Sequence, residues 1–131
     1  MIPASPLAKK LGVKPGAGVT LLNAPPGAEQ RLQPLPDNVT VADDGPADVV
    51  IVFVPDAAAV EAWVSKAAAL VVDRGLLWVV YPKGGKKAGT DLNRDILHAG
   101  LGGRGLVGVA MVAYDDTWSA MRFRPRAEVG S

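Results

Sequence analysis

The segment 48–93 limits what this chain can fold into more than any other. Two near-continuous apolar runs, Val49–Val54 and Leu76–Tyr81, flank a longer stretch with apolar residues at Val60, Trp63, Val64, Ala67, Leu70 and Val71. The two runs are short and valine-rich, as strands are when both faces are covered. The stretch between them has the spacing of one helix face. Strand, helix and strand in that order make a parallel crossover unit. Asp56 is the predicted N-cap of a helix over 56–72, and Gly75 the residue that ends it. A glycine- and lysine-rich loop, KGGKKAGTDLN, then leads into a second helix, predicted over 90–99 with Thr90 as its cap.

The remaining elements can be laid around this unit. Ser5-Pro6 predicts the start of a short helix over 5–12, stopped at Gly12. Gly18–Asn23 and Val39–Ala42 read as short strands, with one or two helical turns at 29–33 between them. Leu106–Tyr114 and Thr117–Arg124 read as strands joined by a tight turn at Asp115-Asp116, hence an antiparallel hairpin. The fold class predicted is α/β, a Rossmann-like doubly wound sheet of about six strands, mostly parallel. The expected order is 2-1-3-4-6-5 with only strand six antiparallel. Trp63, Val50, Val52, Leu77, Val79 and Val109 are the expected core. All 131 residues are read as one domain, frayed over 126–131.

Composition removes several classes of function. The chain has no cysteine, so disulfides, thiol catalysis and cysteine-held metals are excluded. One histidine, His98, rules out a histidine-rich metal site within one chain. Lys plus Arg is 14 against 13 acids, which leaves no global footprint for nucleic acid or an anionic membrane. No apolar run nears the roughly 20 residues of a membrane span. A cytoplasmic protein is expected.

Ligands of doubly wound sheets bind at the carboxyl ends of the strands, where three loops are expected. The first is Asn23–Gly27. Phosphate sites use glycines and free N–H groups, whereas Pro25-Pro26 supplies no N–H and locks φ. A rigid turn is the plainer reading, with Asn23 as its one polar candidate. The second is Lys83–Asn93, which is not a P-loop. Lys83, Lys86 and Lys87 supply cations, and a helix start at Thr90 would add N–H donors and a positive dipole end. Asp91 is either an acid of that site or a complement to the helix dipole. The third is Asp43-Asp44, where Asp43 either holds a ligand hydroxyl or merely turns the chain. His98, Ser119 and Asp115 make a formal triad without a nucleophile-elbow sequence. Arg122, Arg124 and Arg126 alternate along a strand, as edge protection or partner contacts do.

The phrase LGVKPGAGVTLLN, residues 11–23, resembles the entry to the first strand of S-adenosylmethionine-dependent methyltransferases. Residues 47–84 resemble their fourth strand, helix and fifth strand, and the hairpin resembles their last two strands. That resemblance implies a shortened methyltransferase-like fold, with one strand–helix unit missing and the glycine-and-acid cofactor loop replaced by prolines. A closer likeness is to the bacterial domain of unknown function 3052 family, through Pro6–Gly16, Leu21–Pro25, Gly45–Val50, Tyr81–Lys83, Thr90–Leu92 and Asp115–Ser119. It implies a fold and no chemistry. The function expected is therefore a non-catalytic binding or regulatory module without a cofactor, its partner a small anion or a protein. The alternative is a degenerate S-adenosylmethionine- or nucleotide-binding enzyme.

Overall fold

A computed structural model describes residues 4–125, except for the side chains of Lys86 and Ala88. The predicted fraying over 126–131, and Arg126 with it, lies outside the described residues. Six strands run in chain order: β1 (Gly18–Leu22), β2 (Thr40–Ala42), β3 (Ala47–Phe53), β4 (Val71–Pro82), β5 (Leu106–Ala113) and β6 (Trp118–Pro125). They form one sheet in the order β2-β1-β3-β4-β6-β5. The first four are parallel, and β6 is antiparallel to both of its neighbours. The predicted order and direction are thus found.

The apolar runs are continuous because both faces of the sheet are covered. On one face, Val50, Val52, Leu77 and Val79 pack against α3 (Ala57–Leu70) and α4 (Arg94–Gly102), through Val60, Val64, Leu97 and Leu101. On the other, Val49, Ile51, Phe53, Trp78 and Val80 pack under α1 (Pro6–Lys10) and α2 (Ala28–Leu32). The Trp78 indole N–H donates to the Leu11 carbonyl at 2.9 Å, and this fixes α1 to the sheet. Phe53 meets the Tyr114 and Trp118 rings edge-on, with centroids 5.2 and 5.4 Å away.

Several sequence expectations are corrected. Gly75 does not end a helix. The chain passes directly from α3 into β4, and Gly75 sits where the β3–β4 register breaks, between the Ala47–Val71 and Val49–Leu76 pairs. A Cβ there would lie 2.8 Å from the Asp48 carbonyl oxygen, so close backbone approach requires glycine. The helix predicted from Thr90 begins at Arg94, and Asn93 is its N-cap, accepting from the Ile96 N–H at 2.8 Å. Val109 is only half-buried, because β5 is the sheet edge and its pairing with β6 shifts register between Gly108 and Ala110. Trp63 is half-buried as well, on the flank of α3. Arg122 and Arg124 do not guard an edge, since β6 lies between β4 and β5.

Four residues, 43–46, join β2 to β3, where the resemblance implied a missing strand and helix. They cross β1, which lies between those strands. The Thr20 hydroxyl donates to the Gly45 carbonyl at 2.8 Å and straps the crossing down.

Candidate functional site

Parallel strands bring the ends of β1, β2, β3 and β4 to one edge of the sheet, where two clefts take up some of the predicted site residues. The first is a concavity of about 670 Å³ at the ends of β1 and β2. Asn23, Pro25, Glu29, Gln30, Asp43 and Trp63 line it. Asn23 has φ of 56°, in the left-handed region that asparagine tolerates. Its side-chain amide donates to the Phe53 carbonyl at 2.8 Å and ties the end of β1 to the end of β3. The Ala28 N–H turns back onto the Pro25 carbonyl at 3.1 Å. The Tyr114 hydroxyl, beneath α2, donates to the Ala28 carbonyl at 2.6 Å. Burial pushes the Tyr114 phenol far above its ordinary range, and Asp115 pushes it further.

Asp43 lies exposed at the mouth of this cleft. Its neighbour Asp44 makes the turn, accepting from the Gly45 N–H at 2.8 Å. That bond, with Lys66 at 3.4 Å, holds the Asp44 carboxyl below its usual range. Lys66 also stands over the Trp63 ring, 5.7 Å from its centroid. Trp63 was expected in the core; its place in the cleft wall is the feature that helical periodicity could not reveal.

The second cleft, about 550 Å³, opens at the end of β4. Among the described residues, the candidates Lys83 and Ser119 line it, with Tyr81, Arg94, Asp95 and the Gly84-Gly85 backbone. Lys87 is exposed on the 3₁₀ turn Gly85–Ala88, outside both linings, and the Lys86 side chain is not described. Thr90 and Asp91 serve the scaffold. The Thr90 hydroxyl, nearly buried, donates to the Pro55 carbonyl at 2.6 Å and accepts from the Leu92 N–H. Asp91 accepts from the Ala57 N–H at 2.8 Å, at the start of α3. Arg94 and Tyr81 were missed in the sequence. An arginine just past a lysine loop and a tyrosine at a strand end were the available signals.

The formal triad is not built. Asp115 spends its carboxylate on the N–H groups of Thr117 and Trp118, both at 2.8 Å, and on Arg31 at 3.7 Å. His98 stacks on Phe123, with centroids 6.3 Å apart. Among the described residues, no group of three His, Cys, Asp or Glu could hold a metal ion. No helix among them is long and apolar enough to cross a membrane.

No protein-family model and no curated protein matches the chain. Solved structures do. A ribosomal protein L11 methylase from Lactobacillus delbrueckii subsp. bulgaricus superposes with a TM-score of 0.59 at 8% identity, covering 92% of this chain and 75% of that one. DhpI in complex with SAH gives 0.58 at 17% identity, covering 92% of this chain and 83% of that one. A putative methyltransferase from Thermoplasma acidophilum gives 0.52 at 14%, covering 94% and 74%. At these identities the likeness concerns the fold, and the chain has the Rossmann-like fold of S-adenosylmethionine-dependent methyltransferases, closed by an antiparallel hairpin.

Proposed function

We propose that this chain is a binding or regulatory module without chemistry of its own, and that its ligand enters the cleft at the ends of β1 and β2. The loop Asn23–Gly27 carries the reading. Its side-chain amide is committed to Phe53, two of its positions are prolines, and the loop closes on itself through Ala28. Backbone donors are what a dinucleotide or an S-adenosylmethionine carboxylate would need here. Among the described residues, the acidic side chains lining the cleft are Glu29 and Asp43, and carboxylates repel a pyrophosphate. A neutral or cationic ligand suits it, with an apolar surface for the Trp63 ring and a hydroxyl or amine for Asp43.

A second reading, a degenerate S-adenosylmethionine-binding enzyme, is favoured by one observation. Asp43 stands at the end of β2 beside an aromatic ring, a place where an acid can hold ribose hydroxyls. Calorimetry with S-adenosylmethionine and NAD separates the two, with Trp63 emission as a second signal. No heat up to about millimolar ligand supports the module. Micromolar binding that is lost in Asp43→Ala overturns it. Membership of the domain of unknown function 3052 family is part of the same proposal. It is supported by the six motifs, three of which (21–25, 81–83 and 115–119) lie at strand ends or turns of the carboxyl edge.

A further inference from the structure

The second cleft has a different chemistry from the first. Its floor carries a buried phenol: Tyr81 is 4% exposed, yet it belongs to the cleft lining. Antiparallel pairing places Ser119 directly opposite Tyr81, so two hydroxyl-bearing side chains share the floor. Burial raises the Tyr81 phenol above its ordinary range, and Arg94 and Ser119 oppose that shift from beside it. Lys83 leaves the end of the same strand and Arg94 opens α4, which puts two cations on the rim. One acid, Asp95, joins them. It meets Arg94 through Nε at 3.4 Å, with both side chains well exposed. Such a pair is weak. It occupies one nitrogen of a guanidinium whose fork carries five donors.

We propose that this cleft is a binding site for a phosphate-class oxyanion, held by Lys83 and Arg94 above the Tyr81–Ser119 hydroxyl pair. Among the described lining residues, two cations against one acid favour a doubly charged anion over a carboxylate. The hydroxyls supply donors that can turn toward it, and the glycines at 84 and 85, with φ of 90° and 53°, keep the approach free of side chains. The opposite charge of the two clefts assigns an anion here and not at Asp43. The site is independent of the reading given for the first cleft, and the two can fail separately.

Inorganic phosphate titrated into the whole chain, followed by amide chemical shifts at constant ionic strength, tests this. Expected is saturable binding near millimolar, with the shifts centred on residues 81–85, 94 and 119. Arg94→Gln and Lys83→Gln should each weaken it about ten-fold, as charge-assisted hydrogen bonds would. Lys87→Gln, outside the cleft, should not. Glycerol 3-phosphate in a parallel titration distinguishes a phosphorylated organic ligand, which binds tighter, from the free ion, which binds equally; either ordering supports the site. Shifts no larger with phosphate than with chloride or acetate would overturn it. So would phosphate affinity unchanged in both folded variants.

Discussion

The Asp91 carboxylate accepts a hydrogen bond from the backbone N–H of Ala57 at 2.8 Å, across 34 positions of sequence. Asp56 accepts from the Ala59 N–H at 2.9 Å, so the first turn of α3 is capped by two carboxylates from different parts of the chain. Thr90 reaches Pro55 beside them. The far end of the lysine loop is thereby pinned to the start of α3, while at its near end the Lys83 N–H donates to the Thr117 carbonyl at 2.9 Å.

Asp91→Ala should lower stability by about 1 kcal/mol, the usual cost of a lost N-cap. Urea denaturation measures it. Asp56→Ala should cost about the same, and the double variant less than the sum if the two caps cooperate. Full additivity would show that the loop and α3 are energetically separate.

Trp63→Ala should cost about 2 kcal/mol, less than the roughly 3–5 of a fully buried tryptophan. The ring is half-buried and part of its contact is with the Lys66 ammonium. A loss near the upper figure would place Trp63 in the core. A quencher in solution should reach Trp63 and not Trp78, which is 2% exposed.

Two glycines should respond in opposite senses. Gly75→Ala sets a Cβ against backbone oxygens at 2.8 Å and should destabilise by about 1–3 kcal/mol. Gly100 lies inside α4 with nothing within 4 Å of an added Cβ. Gly100→Ala should stabilise by about 0.5–1 kcal/mol, through lower entropy of the unfolded chain. Thermal unfolding of the two variants is sufficient.

Both tyrosines of the chain, Tyr81 and Tyr114, have phenols raised by burial. At Tyr81, Arg94 and Ser119 oppose the shift without cancelling it. The sign follows from proton counts. Above about pH 10 the unfolded chain loses phenolic protons that the native state keeps. Stability contributed by these groups is therefore complete below about pH 10 and falls as pH rises toward the folded values. Phenolate absorbance should appear together with unfolding. Tyr114→Phe should shallow the alkaline slope and cost about 1–3 kcal/mol at neutral pH, since the Ala28 carbonyl loses its donor. Phenolate absorbance at about pH 10 in a fully folded protein would contradict the burial of both rings.

The strand order of the sheet was legible in the amino-acid sequence. Apolar runs over 49–54 and 76–81, a helical stripe between them and a two-acid turn at 115–116 leave few ways to build a sheet. Those signals are local, because period and turn chemistry act between residues a few positions apart. The caps at Ser5 and Asp56 were read for the same reason. Thr90 misled because it is a good cap residue whose hydroxyl is claimed by Pro55, 35 positions away. Gly75 misled because the demand for a missing Cβ comes from Asp48 on the neighbouring strand. Trp63 fits the apolar period, but only the packed sheet shows that its side of α3 overhangs a cleft. The division of the candidates into an acidic cleft with Asn23 and Asp43 and a basic one with Lys83 and Arg94 is likewise tertiary. It depends on which strand ends lie side by side, and strand adjacency brings together residues that no window of sequence contains.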